Sequence, residues 1–202
     1  MPSIYDLKPA FQRLLRSIVR VLARAGATPN HVTVAALALS FAIGGLIAWC
    51  PTARWPLLLL PAALFLRMAL NALDGMMARE LGMASRVGAV LNELGDVISD
   101  AALYLPLALV PGMQPGAVVL AVVLAGVSEM AGVVAVQIGA SRRYDGPMGK
   151  SDRAFVFGAL ALALGIGAPA GRWVAVVVWL VVALLTITIW NRVRRALTET
   201  PR

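Results

Sequence analysis

The stretch WPLLLLPAALFLRMALNALD, residues 55–74, decides the fold. It begins as uncharged, apolar sequence and ends with Arg67, Asn71 and Asp74. An apolar run of about 20 residues crosses the ~30 Å of bilayer hydrocarbon as a helix, and an ionisable side chain inside such a run is costly enough to mark function. Working outward, similar runs cover residues 31–50, 87–110, 115–140, 154–170 and 173–191. Short turn sequences separate them, among them Cys50-Pro51-Thr52, Pro111-Gly112, Gly146-Pro147 and Ala168-Pro169-Ala170-Gly171. The pattern predicts an all-α integral membrane protein with six transmembrane helices, a single membrane domain over residues 1–202.

Composition agrees. Of 202 residues, 60% are hydrophobic and 14% charged, with a mean hydropathy of +0.82, well outside the range of a soluble domain. The net charge of +8 does not point to nucleic acid, because its placement is topological. Arg54 and Arg172 flank spans on one side, whereas Arg79, Arg86, Arg142, Arg143, Lys150, Arg153, Arg192, Arg194, Arg195 and the basic residues of the N-terminal segment fall on the other. The positive-inside bias puts both termini in the cytoplasm. Residues 5–25 lack the apolar core of a cleavable signal and set Leu7, Phe11, Leu14, Ile18 and Leu22 opposite Arg13, Arg16, Arg20 and Arg24. This pattern predicts an amphipathic interfacial helix whose arginines meet anionic lipid headgroups. Cys50, the single cysteine, excludes an internal disulfide and a cysteine-based metal site.

The ionisable residues within spans are concentrated at the cytoplasmic ends of spans two and three. On span two, Arg67, Asn71, Asp74 and Ala78 share one helical face; on span three, Gly88, Asn92, Asp96 and Asp100 repeat at i+4. A short turn makes the spans antiparallel neighbours, so the two oxygen-rich stripes can meet. Oxygen donors without His or Cys favour a hard cation, Mg²⁺, Mn²⁺ or Ca²⁺, over zinc.

The spacing Asn71-x-x-Asp74-Gly75-x-x-Ala78-Arg79, then eight residues, then Gly88-x-x-x-Asn92-x-x-x-Asp96 resembles the motif of the CDP-alcohol phosphotransferases, D-x-x-D-G-x-x-A-R followed by G-x-x-x-D-x-x-x-D. Thr28-Pro29-Asn30-His31-Val32-Thr33 is similar to the P-N-x-x-T segment that opens the family's first span. The resemblance implies transfer of a phosphoalcohol, here a phosphatidyl group, from CDP-diacylglycerol or another CDP-alcohol to an acceptor hydroxyl, with release of CMP. It implies Mg²⁺ or Mn²⁺ held at positions 71, 74, 92 and 96. It further implies catalytic roles for Asp74 and Asp96, with Asp96 as base, and donor binding by Gly75, Ala78, Arg79 and Gly88. A homodimer in the bacterial inner membrane follows from the same resemblance.

This chain departs from the motif at two of the four aspartates, which are Asn71 and Asn92. An amide oxygen still coordinates a hard metal, but two negative charges are lost, weakening metal affinity and putting one of the family's two metals in question. Asp100 and Glu93 are candidate compensating charges, with Arg67, or more distantly Glu129, as ion-pair partner. A second constellation, Arg142-Arg143-Tyr144-Asp145-Gly146-Pro147-Met148-Gly149-Lys150-Ser151-Asp152-Arg153, precedes span five. Lys150 and Arg153, on one face at i+3, read as an acceptor site favouring an anionic alcohol. The double asparagine keeps a non-enzymatic alternative in view, a degenerate member that binds nucleotide-lipid or joins a membrane complex. A small transporter is a weaker third reading, since no inverted repeat is visible.

Overall fold

The computed structural model describes residues 15–199, and among them it contains helices and no strands. Helix α1 covers residues 15–24. It is followed by α2 (Pro29–Trp49), α3 (Trp55–Glu80), α4 (Arg86–Tyr104), a 3₁₀ segment (Leu105–Leu109), α5 (Pro115–Gln137), α6 (Lys150–Gly165) and α7 (Arg172–Glu199). Four of these, α2, α3, α5 and α7, are long and apolar enough to cross a membrane. The chain is an all-α membrane protein. Large apolar side chains such as Phe41, Trp49, Phe65, Trp179 and Trp190 are exposed as well as forming the core, and a few charged ones, Arg67, Asp74, Asp100, Arg153 and Arg192, are buried.

The helix ends differ from the apolar runs for local reasons. Helix α3 continues six residues past Asp74, through Gly75 to Glu80, because Met76, Met77, Ala78, Arg79 and Glu80 are all good helix formers. Helix α4 stops at Tyr104, where Pro106 turns the chain into a 3₁₀ segment instead of continuing to 110. It carries Arg86, Glu93, Asp96 and Asp100, which hold it below the composition of an ordinary span. Helix α6 starts at Lys150, ahead of residue 154, because the Asp152 carboxylate accepts the Gly149 N–H at 2.9 Å. It ends in a Schellman turn: Gly167, at φ +99°, donates to Leu164 O (3.1 Å) and Ala168 to Ala163 O (2.9 Å). Its 16 residues fall short of the ~20 of a full crossing. Of the interfacial N-terminal helix, residues 5–14 lie outside the described residues, and 15–24 are helical.

The chain groups into two compact units. Among the described residues, the first comprises 15–40 and Ala63–Ser99, the second Phe41–Ala62 and 100–199. In the first, α1 buries Leu15 and Val19 in a cluster with Val32 of α2 and Leu73, Met76 and Met77 of α3. Arg16 reaches Glu80 at 3.3 Å on the exposed rim of that contact. Thr33 lies against Gly95 of α4, where an added Cβ would stand 3.5 Å from its methyl.

In the second unit α5 and α7 form the main contact. Ala117, Ala121, Ala125, Ser128, Gly132 and Ala135 make a small-residue stripe along α5, facing Val174, Val178, Val181, Leu185 and Thr188 on α7. Gly44 has a packing reason of its own, since a Cβ there would collide with the backbone carbonyl of Ala102. Tyr104 stacks on Phe157 with ring centroids 4.5 Å apart. The 138–149 loop is pinned to α7 where Met148 N–H donates to Thr188 Oγ1 at 3.0 Å. Gly146, at φ +123°, sits so close to Thr188 that a side chain would clash as well as strain the backbone.

Candidate active site

The extension of α3 past Asp74 lines up the polar end of that helix as one wall of a cavity in the first unit. The cavity holds about 250 Å³. Asn71, Asp74, Gly75, Ala78 and Arg79 come from α3, Gly88 and Asn92 from α4, Pro29, Asn30 and Thr33 from the start of α2, and Ser85 from the linker. Seven of the residues singled out in the sequence therefore line one space. Asp96 stands beside it, joined to the lining by a hydrogen bond from Asn71 Nδ2 to Asp96 Oδ1 at 3.0 Å. Glu93 is not part of the lining.

The two carboxylates are held differently. Asp74 is 5% exposed, and its Oδ2 lies 2.8 Å from Thr33 Oγ1. The same hydroxyl is 3.1 Å from Pro29 O. It has one proton, and the shorter, charge-assisted bond to the carboxylate is the stronger claim on it. Asp96 is met by Arg67, 3% exposed, whose Nη2 lies 3.7 Å from Asp96 Oδ1 and 3.1 Å from its backbone oxygen. An ionised carboxylate only accepts, so Asn71 must turn its NH₂ to Asp96 and its amide oxygen elsewhere.

Both motif glycines have steric reasons. A Cβ at Gly75 would stand 3.0 Å from Arg79 Nη2, so the missing side chain lets the Arg79 guanidinium lie back over the helix one turn earlier. A Cβ at Gly88 would come within 2.8 Å of Asn30 Oδ1 and 3.0 Å of Ser85 Oγ. Ser85 caps α4 by accepting the Gly88 N–H at 2.9 Å. Asn30, Thr33 and Ser85 were not singled out as site residues. The P-N-x-x-T segment was the signal for the first two, and a serine just ahead of a helix was the signal for the third.

The donors present suit a hard divalent cation: one lining carboxylate, the lining amides of Asn30, Asn71 and Asn92, and an adjacent carboxylate, all able to offer oxygen. No three His, Cys, Asp or Glu side chains gather as a metal-holding group among the described residues. Two amides stand where such a group would need acids.

The second unit holds the other charges. Arg153, 1% exposed, donates to Asp100 Oδ2 at 2.8 and 3.0 Å and to Glu129 Oε1 at 3.0 Å. Glu129 also meets Arg192 at 3.3 Å and Arg142 at 3.4 Å, and Arg192 reaches the carbonyls of Ser128 and Asp145. Asp100, read from sequence as a candidate compensating charge, and Glu129, read as a more distant ion-pair partner, are the carboxylates around Arg153. Lys150 opens α6, half-buried. In the adjoining loop, burial alone would raise the Asp145 carboxyl, but hydrogen bonds from Arg143 and Arg195 outweigh it and hold it below the usual carboxylate range.

Residues 26–191 match the sequence profile of the CDP-alcohol phosphatidyltransferases. The chain is 45% identical to inner membrane protein YnbA of Escherichia coli over 96% of its own length and 94% of that protein's. It is 35% identical to phosphatidylinositol phosphate synthase of Mycobacterium tuberculosis, over 48% of this chain and 43% of that one. Among solved structures, phosphatidylinositol phosphate synthase (PgsA1) of Mycobacterium tuberculosis with CDP-DAG bound superposes with a TM-score of 0.79 at 25% identity, covering 93% of this chain and 95% of that one. The same enzyme in complex with manganese and citrate gives 0.77 over 92% and 90%. The chain belongs to the CDP-alcohol phosphatidyltransferase family. It is a membrane phosphotransferase of phospholipid biosynthesis.

Proposed function

We propose that this protein transfers a phosphatidyl group from a CDP-linked lipid, CDP-diacylglycerol or a close relative, to the hydroxyl of an acceptor alcohol and releases CMP. The observation that carries this reading is the convergence of Asp74, Asn71, Asn92, Gly75, Arg79 and Gly88 on one cavity of about 250 Å³. The fold is read as one membrane domain of six spans behind an interfacial helix, in the inner membrane with both termini cytoplasmic, assembled as a homodimer. A cytoplasmic-level site within membrane helices suits a donor with a soluble head and insoluble tails.

Asn71, Asp74, Asn92 and Asp96 would hold Mg²⁺ or Mn²⁺. Such an ion, when bound, offsets charge on the pyrophosphate and the departing CMP. Arg79, folded over Gly75, contacts donor phosphate. Asp96 takes the proton of the acceptor hydroxyl; the acceptor oxygen then bonds to the phosphatidyl phosphorus as the bond to CMP breaks. Arg67 and the Asn71 amide hold the Asp96 carboxylate in place beside the cavity. Lys150 and Arg153 are assigned to the acceptor, phosphorylated or plain, with an anionic one preferred.

Purified protein in detergent or liposomes, given CDP-diacylglycerol, Mg²⁺ or Mn²⁺ and a panel of alcohols, should release CMP with at least one acceptor. Asp74→Asn and Asp96→Asn should each abolish that release in folded protein. Binding of CDP-diacylglycerol without turnover under every condition would favour the second reading, a degenerate nucleotide-lipid-binding member, which Asn71 and Asn92 keep open.

A further inference from the structure

Arg67 stands one turn before Asn71 on α3, deep enough to be 3% exposed, and aims its guanidinium at the backbone and side chain of Asp96. The Asn71 NH₂ bonds the same carboxylate oxygen, Oδ1, that the guanidinium faces. Two N–H groups, one cationic, thus occupy the side of Asp96 turned toward α3. A metal placed there would lie beside a buried positive charge and would face the hydrogens of an amide, not its oxygen.

Charge counting points the same way. The motif positions of this chain carry two carboxylates, Asp74 and Asp96, where the motif it resembles has four. Arg67 already neutralises one of the two. Asp74, Asp96 and Arg67 sum to −1, so one divalent cation brings the group to +1 and a second would bring it to +3, before the lining Arg79 is counted.

We infer that the site takes one divalent cation per chain, centred on the Asp74 side of the cavity, and that Arg67 is the fixed cation that stands in for a second metal at Asp96. This rests on the reading of the cavity as a divalent-cation site. It makes Arg67 a positioning residue: it holds Asp96 and sets the metal count.

The count is measurable without turnover. Mn²⁺ titrated into the full-length purified chain, followed by electron paramagnetic resonance and calorimetry, should saturate at one ion per chain with the six-line spectrum of isolated Mn²⁺. Asn71→Asp with Asn92→Asp should bind a second ion only weakly, leaving the count at one at Mn²⁺ concentrations that saturate the first, because the Arg67 guanidinium still faces Asp96 Oδ1. Adding Arg67→Met to that pair should admit a second ion, bound at least about tenfold more tightly than in the double variant, with the broadened spectrum of two neighbouring spins. Arg67→Lys in the same background keeps the charge and should keep the count at one. Two ions in the unsubstituted chain, or a count of two in the lysine variant, overturns the inference. Should the methionine variant fail to fold, the unsubstituted and lysine proteins still decide it. No Mn²⁺ binding by folded unsubstituted protein overturns the cation site itself, a different failure from a count of two.

Discussion

Thr33 near the start of α2 donates its hydroxyl proton to Asp74 near the end of α3, 41 positions away, across 2.8 Å. The bond ties the P-N-x-x-T segment to the aspartate that lines the cavity, so two separate pieces of sequence act as one.

Thr33→Val keeps the shape and removes the donor. A hydrogen bond to a charged group contributes roughly 1.5–3 kcal/mol. CMP release should therefore fall about tenfold to hundredfold, with Thr33→Ser recovering most of it. Equal rates for the valine variant and the parent would mean that Asp74 is oriented without Thr33.

The apolar runs and the motif spacing were legible because each depends on neighbours three or four residues apart. Asn71, Asp74, Gly75, Ala78, Arg79, Gly88 and Asn92 do line one cavity. What was not legible depended on long-range partners. Nothing local in α5 announces that Glu129 will gather Arg142, Arg153 and Arg192, and Asp100 looks like one more member of the α4 stripe until Arg153 is found beside it. The stripe rotates as it ascends α4, since four residues advance the wheel by more than one full turn. By Asp100 it belongs to the second compact unit instead of the first.

Glu129 is the hub of that second network, and its removal leaves Arg142, Arg153 and Arg192 with fewer counter-charges. Breaking a buried pair from one side costs about 3–5 kcal/mol. Glu129→Ala should lower the thermal midpoint of the detergent-purified protein by several degrees, and Glu129→Gln, which preserves hydrogen-bonding capacity but not charge, should fall between the two. Unfolding followed by tryptophan fluorescence measures both. A midpoint unchanged in the alanine variant would show that the arginines find other partners at no cost.

Acid should loosen the 138–149 loop in a defined window. The Asp145 carboxyl lies below its ordinary value in the folded chain because Arg143 and Arg195 favour its charged form over the opposing effect of burial. A depressed folded value means that the stabilisation is present above the unfolded value, ~3.9, and is lost as pH falls through the folded one. Protease cleavage of the loop should therefore be constant from neutral pH to about pH 5 and should rise only below about pH 4, read with an acid-active protease. Asp145→Asn should cleave faster at neutral pH and lose most of that acid dependence.

Lys150 and Arg153 make unequal tests of the acceptor site. Arg153 is locked between Asp100 and Glu129, so Arg153→Ala strips two carboxylates of a partner and lowers stability along with any contact to substrate. Lys150 opens α6, and Lys150→Ala leaves the pairing of Arg153 with Asp100 and Glu129 in place. If it contacts an anionic acceptor, the acceptor KM should rise about tenfold to hundredfold, the loss of one charge-assisted hydrogen bond, while the donor KM holds. The effect should vanish with unphosphorylated alcohols, which offer Lys150 no anion. A rise in the donor KM instead would assign Lys150 to the CDP pyrophosphate. Unchanged kinetics with altered membrane orientation would make it a flanking charge that sets topology.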